Sequence, residues 1–479
     1  MATGNDKMGI SRRRFLQGAA GMLGASVLAA CGGSAPSGGA ATNSNAATNS
    51  NAATNSGAAA GGATAAPAQG GTAQATVEWW DSQTGVDEEI TKKMIDTFQQ
   101  KNPDIKINRT YIAQDQGTQA NQKLLTAIAG GNPPDVYKFD RFIVPQFAAQ
   151  GFLTDLTDLA AKAGVKQDDY YPFAWEEANY KGKLYALPYD TDTRALWYNK
   201  DIFKEAGLDP EKPPQNWQEL QDMSDKLTQK GGGGRITRFG FNPIQDQTAV
   251  YIYGFAWKGV FQDPNTLKIT SADPKVVEAM KAVQAFANHV GVDNLDAFTA
   301  ACQGSQCNDA NDYFWTGQTA MVISGNWKVA QAKKYKPDVQ YGVAPFPGPD
   351  GPAPYASWAG GWSWVVPKGA KNPEAAFKVI NWVAGPEGQD IYNKGTYHIP
   401  TNKKAAADPF YVQDPLHKVF MDLLPVSHTR PPIPAGSLMW DELIKARDDI
   451  VQGQDPATRL KAVDDKVNAE LDKLGFFKA

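Results

Sequence analysis

Several short segments of this sequence place a tryptophan or tyrosine beside planar polar side chains or paired glycines. They are residues 80–83 (Trp-Asp-Ser-Gln), 189–194 (Tyr-Asp-Thr-Asp-Thr-Arg), 326–327 (Asn-Trp) and 358–362 (Trp-Ala-Gly-Gly-Trp). Aromatic rings stack on the C–H faces of cyclic polyols, while carboxylate, amide and guanidinium groups bond the hydroxyls at the rim. Paired glycines let the backbone approach a ligand closely. These segments therefore favour recognition of a polyhydroxylated ligand.

The composition supports a binding surface of this kind. The 479 residues include 13 Trp, 17 Tyr and 21 Phe, and all 13 Trp lie at or after Trp79. The net charge of -4, from 47 basic and 51 acidic residues, argues against a nucleic-acid binder that works through a basic surface. The length exceeds the needs of one small domain, so two lobes or domains are expected.

The first 30 residues are predicted to be an export signal. Three arginines at residues 12–14 precede an apolar run at residues 18–30 that is too short for a stable membrane span. The arginines and the residues after them resemble a twin-arginine motif. Residues 28–31 (Leu-Ala-Ala-Cys) resemble a lipobox, in which Cys31 carries the lipid that anchors the mature chain. A free Cys31 behind a hydrophobic patch is the alternative.

Residues 31–75 are predicted to hold the lipidated cysteine and a disordered tether. Residues 32–75 have no charged, aromatic or large aliphatic side chain, so they cannot form a packed core. A six-residue period of Ala, Thr, Asn and Ser repeats within them. As a flexible coil, these 44 residues span on the order of 35 Å, which lets a folded body reorient over a membrane.

Cys302 and Cys307 are predicted to form a disulfide, because four residues separate them in a chain that is expected to be exported. A metal site is less favoured, since two thiols without a nearby histidine are an incomplete ligand set. The four histidines of the chain show no ligand spacing. The sequence therefore predicts neither a metal nor a cofactor.

Strand and helix signals alternate after residue 76. Strands are predicted at residues 76–80, 105–111 and 135–139, and helices with one apolar face at residues 87–101 and 118–129. Single helices between strands predict parallel pairing in an α/β sheet with covered faces. Ligands bind beyond the carboxyl ends of such strands, where the loops at residues 81–85 and 140–142 lie.

The remainder of the chain alternates less regularly. Further elements are predicted as an extended segment at residues 183–198, helices at 215–229 and 273–289, an apolar strand at 317–324, and two helices at the end of the chain. The side chains predicted to line one face of the last helix are Leu460, Val463, Val467, Leu471 and Leu474.

Four segments, in chain order, resemble one known family. They are residues 132–136 (Asn-Pro-Pro-Asp-Val), 186–200 (Ala-Leu-Pro-Tyr-Asp-Thr-Asp-Thr-Arg-Ala-Leu-Trp-Tyr-Asn-Lys), 317–327 (Gly-Gln-Thr-Ala-Met-Val-Ile-Ser-Gly-Asn-Trp) and 360–376, which begins Gly-Gly-Trp-Ser-Trp-Val-Val-Pro-Lys-Gly. From residue 76 to its end, the chain resembles the extracellular solute-binding proteins of ABC importers. It is similar to their carbohydrate-binding group, which includes maltose- and glycerol-phosphate-binding proteins. The resemblance is specific to the family but not to one sugar.

The resemblance implies an α/β fold of the type II periplasmic-binding-protein class, with two lobes, an interlobe hinge and a ligand cleft. The lobes it implies are residues 76–190 with 360–396 for the first, and residues 191–359 with 397–479 for the second. The implied crossings between them lie near residues 189–194, 357–361 and 396–400.

The resemblance also implies that the polar and aromatic segments surround one cleft. The residues predicted to bind ligand are Trp80, Asp81, Gln83, Asp140, Arg141, Tyr189, Asp190, Asp192, Arg194, Trp257, Asn326, Trp327, Trp358, Gly361, Trp362, Arg430 and Trp440. For Trp257 a place in the buried core is an open alternative, and for Asp140 and Arg141 a solvated ion pair. Trp79 is expected in the core of its strand, with Trp80 facing the other way. No residue is predicted to be catalytic.

The implied function is capture of a mono- or oligosaccharide between the lobes and its delivery to the transmembrane subunits of an ABC permease. The protein is expected to be a monomer without nucleic-acid partners, held by the lipid on Cys31 at the outer face of the cytoplasmic membrane. A secreted glycoside hydrolase would also have a tryptophan-rich cleft and paired carboxylates, but no carboxylate here is marked as acid or nucleophile. A sugar-sensing lipoprotein without a transport role is the third alternative.

Overall fold

The computed structural model describes residues 74–113, 121–245, 247–302, 307 and 309–478. The predicted export signal, the lipidated Cys31 and the tether lie outside these residues. Within the described ranges, every helix is too short or too polar to serve as a bilayer span.

Helices and strands alternate along the described chain. The helices are α1 (Gly85–Lys101), α2 (Gln122–Ala129), α3 (Val144–Ala149), α4 (Thr157–Lys162), α5 (Pro172–Glu177), α6 (Lys200–Glu205), α7 (Trp217–Leu227), α8 (Val250–Ala256), α9 (Pro274–Val290), α10 (Val292–Ala301), α11 (Lys328–Tyr335), α12 (Pro373–Val383), α13 (Pro386–Thr396), α14 (Lys403–Ala406), α15 (Phe410–Gln413), α16 (Pro415–Leu423), α17 (Gly436–Val451) and α18 (Pro456–Lys473). The strands are β1 (Ala75–Asp81), β2 (Ile105–Tyr111), β3 (Val136–Asp140), β4 (Asn179–Tyr180), β5 (Lys183–Leu184), β6 (Ala186–Pro188), β7 (Asp190–Thr191), β8 (Arg194–Asn199), β9 (Gln229–Lys230), β10 (Ile236–Phe241), β11 (Thr319–Gly325), β12 (Tyr341–Ala344), β13 (Trp362–Val365) and β14 (Ile399–Pro400).

The first large sheet has the strand order β2-β1-β3-β13-β6. β1 pairs in parallel with β2 and β3, as the alternation of strands and helices predicts. β13 comes from much later in the chain and pairs antiparallel with both β3 and β6. Along β1, Val77, Trp79 and Asp81 are buried and alternate with half-buried neighbours, so Trp79 lies in the core as expected.

Helix α1 packs on this sheet through the apolar face predicted for it. Met94, Ile95 and Phe98 are buried, and Ile90 is half-buried against the same core. α13 packs against α1, where a Cβ on Gly395 would lie 2.6 Å from Ile90. We call this sheet and its helices the first lobe.

The second large sheet has the strand order β12-β8-β11-β10-β9. β8 pairs antiparallel with β11 and β12, whereas β10 runs parallel to β11. Every residue of β8 and β11 is buried, which fits continuous apolar strands in the middle of a sheet. A disulfide joins Cys302, at the end of α10, to Cys307. We call this sheet and its helices the second lobe.

The last helix, α18, buries four of the five side chains predicted on its apolar face. The buried ones are Leu460, Val463, Val467 and Leu471. The prediction for Leu474 was wrong, because the helix ends at Lys473 and Leu474, its C-terminal cap residue, is 39% exposed.

Three segments of the described chain connect the two lobes. They are residues 189–193 between β6 and β8, residues 345–361 between β12 and β13, and residues 397–402 between α13 and α14. The first runs from β6 to β8 and contains β7, which pairs antiparallel with β14 in the third segment. The second precedes β13, and a β-bridge joins its Gly360 to Asp192 of the first. The fold is thus a two-lobed α/β fold whose connecting segments pair with one another.

Candidate functional site

A cavity of about 280 Å³ lies where the connecting segments meet the two lobes. Its lining residues come from the turn after β1 and the start of α1, from β3, β8 and β13, from the connecting segments, from the loop before α8, and from the start of α11. They are Ser82, Gln83, Thr84, Val86, Asp87, Lys138, Asp192, Arg194, Gln247, Trp327, Gln331, Trp362 and His398. Sites for small molecules have volumes of about 300–1,000 Å³. The cavity lies just below the lower end of that range, so it suits a ligand at the small end of the class.

Strands of both lobes end at this cavity. Residues 82–84 follow the carboxyl end of β1, and Trp327 follows the carboxyl end of β11 at Gly325. A Cβ on Gly325 would lie 1.9 Å from the Trp327 ring, so the ring can fold back over the strand end only because residue 325 is glycine. Open α/β sheets bind ligands at such ends.

Two half-buried tryptophans border the cavity from opposite lobes. The ring of Trp327 lies nearly parallel to the ring of His398, with centroids 6.0 Å apart and an interplanar angle of 18°. The Nζ of Lys138 lies 4.3 Å from the ring centroid of Trp362. Both rings line the cavity, so each can offer aromatic surface to a cyclic ligand.

Arg194 forms part of the cavity wall and is held on several sides. Its Nη1 bonds Asp192 Oδ1 and donates to the carbonyl of Trp358 over 3.1 Å, and its Nε donates to Gln247 Oε1 over 3.3 Å. The guanidinium lies 4.1 Å from the ring centroid of Trp358. Burial lowers the pKa of Arg194, and the charge of Asp192 opposes that shift.

A chain of hydrogen bonds fixes Asp87 at the cavity. Thr91 Oγ1 donates to Gln83 Oε1 over 2.8 Å, and Gln83 Nε2 donates to the hydroxyl of Tyr392 over 2.8 Å. That hydroxyl donates to Asp87 Oδ2 over 3.2 Å. Burial raises the pKa of Tyr392 well above its usual value, so the phenol remains a donor.

The charges of the lining residues balance. Asp87 and Asp192 supply two carboxylates, and Lys138 and Arg194 supply two cations. The lining therefore favours a ligand without a large net charge.

In the described ranges, no group of three or more His, Cys, Asp or Glu side chains has a metal-binding arrangement.

The sequence profile of the family described as bacterial extracellular solute-binding protein matches residues 80–390. The chain belongs to this family. The solute-binding protein is 28% identical over 421 residues to a binding protein of Brucella abortus (strain 2308), which covers 86% of this chain and 96% of the relative. It is 27% identical over 349 residues to the sn-glycerol-3-phosphate-binding periplasmic protein UgpB of Escherichia coli (strain K12), covering 70% and 76%.

Solved structures show the same fold. The solute-binding protein superimposes on CpMnBP1 with mannobiose bound with a TM-score of 0.73 at 28% sequence identity, covering 82% of this chain and 100% of the other. The match to CpMnBP1 with mannotriose bound has the same values. Both neighbours were solved with an oligosaccharide bound.

Five of the residues predicted for the ligand site line the cavity of the solute-binding protein. They are Gln83, Asp192, Arg194, Trp327 and Trp362. The cavity lining does not include Trp80, Asp81, Asp140, Arg141, Tyr189, Asp190, Trp257, Asn326, Trp358, Gly361, Arg430 and Trp440.

Most of those twelve bond or pack within the protein. Asp81 is fully buried and binds Arg109, whose Nε and Nη2 lie 2.8 and 2.6 Å from its oxygens. Trp80 packs half-buried against the core of the first lobe, and Tyr189 is buried in the same core. Trp257 is buried in the core of the second lobe, which is the alternative left open for it.

Asp140 and Arg141, which were both predicted to bind ligand, form ion pairs with other buried side chains. Asp140 of β3 accepts a bond from Arg430 Nη2 over 2.8 Å, and both side chains are buried. The expected alternative of a solvated Asp140–Arg141 pair was therefore wrong. Arg141 is fully buried, pairs with Glu177 over 2.8 Å and donates to the carbonyls of Asp190 and Gly360.

Two of the remaining predicted residues, Asp190 and Trp358, contact residues that line the cavity. Asp190 Oδ1 accepts the backbone N–H of Trp362 over 2.7 Å, and the ring of Trp358 lies under Arg194. Asn326 bonds the backbone of Thr193 and Tyr397. Gly361 has φ of +128°, and Trp440 contacts Phe142 and Tyr251.

Several lining residues were not predicted, although the sequence contained signals for some of them. Lys138 lies two positions before Asp140 on a strand, so both face the same side of the sheet. Gln331 lies four positions after Trp327, one helical turn along α11. Ser82 and Thr84 lie in the loop at residues 81–85, which was predicted at the ligand-binding end of a strand, and no local pattern points to Val86, Asp87, Gln247 and His398.

Proposed function

We propose that the solute-binding protein binds a neutral carbohydrate of one or two rings in this cavity and delivers it to an ABC permease. The observation that carries the proposal is the pair of tryptophans, Trp327 and Trp362, that border one small polar cavity from opposite lobes. Sugars are recognised by stacking on aromatic rings, combined with planar polar groups at the hydroxyls. Gln83, Gln247 and Gln331 supply amides of that kind.

The balance of charge favours a neutral sugar over a sugar phosphate or glycerol phosphate. A phosphate would add about two negative charges beside Asp87 and Asp192. Its attraction to Lys138 and Arg194 would be offset, because Arg194 already pairs with Asp192. The sn-glycerol 3-phosphate named for one relative is thus charged, unlike the ligand proposed here, whereas the mannobiose and mannotriose of the two solved structures are uncharged like it.

Calorimetric titration with mannobiose, mannotriose, maltose and sn-glycerol 3-phosphate tests the proposal. We expect saturable binding of at least one of the sugars and no binding of sn-glycerol 3-phosphate at the same concentration. Tight binding of the phosphate with no binding of any sugar would overturn it. We also propose that binding occurs without chemistry, so each sugar should be recovered uncleaved after long incubation, and catalytic cleavage would support the glycoside hydrolase instead.

Export, anchoring and lobe boundaries complete the proposal. We propose that residues 1–30 direct export, that lipid on Cys31 holds the monomeric protein at the outer face of the cytoplasmic membrane, and that the 44-residue tether lets it reach the permease. Membership of an extracellular family supports export. Retention of a Cys31→Ser variant in the membrane fraction would contradict the anchor.

The strand assignments support the lobe limits of 76–190 with 360–396 and 191–359 with 397–479, since β6 and β8 belong to different sheets.

A further inference from the structure

Two helices from opposite lobes meet beside the cavity. α1 of the first lobe begins at Gly85, and its first residues Val86 and Asp87 line the cavity. α11 of the second lobe follows Trp327, and its Gln331 lines the same cavity. The two helices also contact each other directly. The α1–α11 contact is therefore one place where the lobes must separate if the cleft opens.

An ion pair joins the two helices at this contact. Lys334 Nζ lies 2.5 Å from Glu89 Oε1, and the two side chains are 34% and 65% exposed. Glu89 lies two positions after Asp87, and Lys334 lies three positions after Gln331, so each is within one helical turn of a cavity residue.

Neighbouring ion pairs on the same helices do not span the lobes. Glu88 pairs with Lys92 within α1 over 2.7 Å. Lys333 pairs with Asp414 over 2.9 Å, and Asp414 caps α16 beside the second lobe. Separation of α1 from α11 breaks the Glu89–Lys334 pair but leaves the Glu88–Lys92 pair intact.

We propose that the Glu89–Lys334 pair is a latch that stabilises the closed cleft and slows release of the bound solute. The inference rests on the proposed function, because it assumes that the cleft opens and closes around a ligand. The latch makes no contact with the ligand in this view and acts on the equilibrium between open and closed states. Since both side chains are partly exposed, the effect is modest and is screened by salt.

Charge reversal with mannobiose as the probe tests the latch. We expect Lys334→Glu and Glu89→Lys each to raise the dissociation rate constant of mannobiose about two- to five-fold at low salt. The double variant Glu89→Lys/Lys334→Glu restores the pair in the opposite sense, so its rate constant should return towards that of the unaltered protein. At high salt the differences should shrink.

Two control variants change charge on α1 without touching the latch. Lys92→Glu breaks a pair inside the helix, and Asp96→Lys reverses an exposed charge further along it. Both should dissociate at the rate of the unaltered protein. If the latch variants match these controls, or if the double variant is no slower than the single ones, the proposal is overturned.

A measurement without ligand separates failure of the latch from failure of the proposed function. By small-angle scattering at low salt, the ligand-free Lys334→Glu protein should have a larger radius of gyration than the Lys92→Glu protein, and the double variant should be compact again. Equal radii for all three would overturn the latch even if mannobiose binds. If no sugar binds but the radii differ as expected, the latch stands and the ligand assignment fails.

Discussion

Trp327 and Trp362 present the two aromatic surfaces of the cavity, and each has a cation beside its ring. Replacing either ring by alanine removes a stacking surface and loosens Arg194 or Lys138. We expect Trp327→Ala and Trp362→Ala each to weaken sugar binding by more than about ten-fold, or about 1.4 kcal/mol. Calorimetric titration with the sugar that binds best measures the loss.

Two other tryptophans provide the comparison for this prediction. Trp382→Ala alters a side chain that packs on Phe98 and bonds Glu387, outside the cavity lining, so sugar affinity should stay unchanged. Trp440 was predicted from the sequence to bind ligand, but its contacts with Phe142 and Tyr251 predict a much smaller loss than for Trp327. A Trp440→Ala protein that binds as weakly as Trp327→Ala would favour the sequence-based assignment.

Asp190 gives a pH-dependent prediction. Burial raises its pKa above the usual 3.8, although His398 and Lys138 oppose the shift and Asp192 adds to it. The carboxylate therefore lowers the free energy of unfolding at neutral pH. That cost is absent where the group is protonated in both states, and it grows as pH rises from about 4 through the raised pKa.

Replacing this carboxyl by an amide should remove the cost. Asp190→Asn keeps an oxygen that can accept the Trp362 N–H, so we expect its free energy of unfolding to exceed that of the unaltered protein by an amount that grows as pH rises from about 4 through the raised pKa of Asp190. Chemical denaturation at several pH values measures it. Asp190→Ala, which removes the acceptor, should be less stable than Asp190→Asn throughout. If the difference in free energy of unfolding between Asp190→Asn and the unaltered protein shrinks as pH rises, the raised pKa of Asp190 is contradicted.

Among the elements, the segment before β13 tolerates little change. Gly361 has φ of +128°, and a Cβ there would lie 2.4 Å from both Arg141 Nη1 and the carbonyl of Asp190. Gly361→Ala adds backbone strain to a steric clash, so we expect it to lower the free energy of unfolding by about 2–5 kcal/mol and to weaken sugar binding.

Gly131→Ala is the matched control for Gly361→Ala. Gly131 has φ of +70° but no atom within 4 Å of an added Cβ, so only backbone strain of about 1–2 kcal/mol applies. Denaturant titration of both variants separates the clash from the strain. Equal losses would mean that Arg141 and the connecting segment move aside freely.

Local sequence patterns predicted the elements that depend on neighbouring residues. Examples are the apolar spacing of α1 and the alternation that buries Trp79 in β1. These patterns could be predicted because α1 and β1 are neighbours in sequence and pack in the same core. The antiparallel return of β13 between β3 and β6 was not predicted from strand and helix signals, since that pairing joins residues far apart in sequence.

The same limit of distance explains why the predicted site differs from the cavity lining. Asp81, the last residue of β1, resembles a ligand contact, but its side chain bonds Arg109 of the neighbouring strand β2, and local patterning does not reveal that pairing. Asp87 was missed because Tyr392, which fixes it, comes from α13. Trp327, which lines the cavity, was predicted because it directly follows an apolar strand within a segment that resembles the family.

At the scale of the whole molecule, the connecting segments hold the lobes together while leaving the cavity between them. Arg141 bonds the carbonyls of Asp190 and Gly360, and β7 pairs with β14, so all three segments form one connected unit. Arg430 and Asp140 add a buried pair beside it. The contact of α1 with α11 lies outside these segments, so it is the contact expected to break when the lobes separate.

A ligand that touches both lobes should therefore shift the molecule towards the closed state. The cavity takes Gln83 and Trp362 from the first lobe and Trp327 and Gln331 from the second, so a bound sugar gains its full set of contacts only when the lobes are together. We expect the radius of gyration to fall when the sugar is added, as measured by small-angle scattering. The Trp327→Ala protein, at the same sugar concentration, should compact less because less of it is bound. An unchanged radius for the unaltered protein at a concentration that calorimetry shows to be saturating would contradict ligand-driven closure and leave a preformed closed cleft as the binding state.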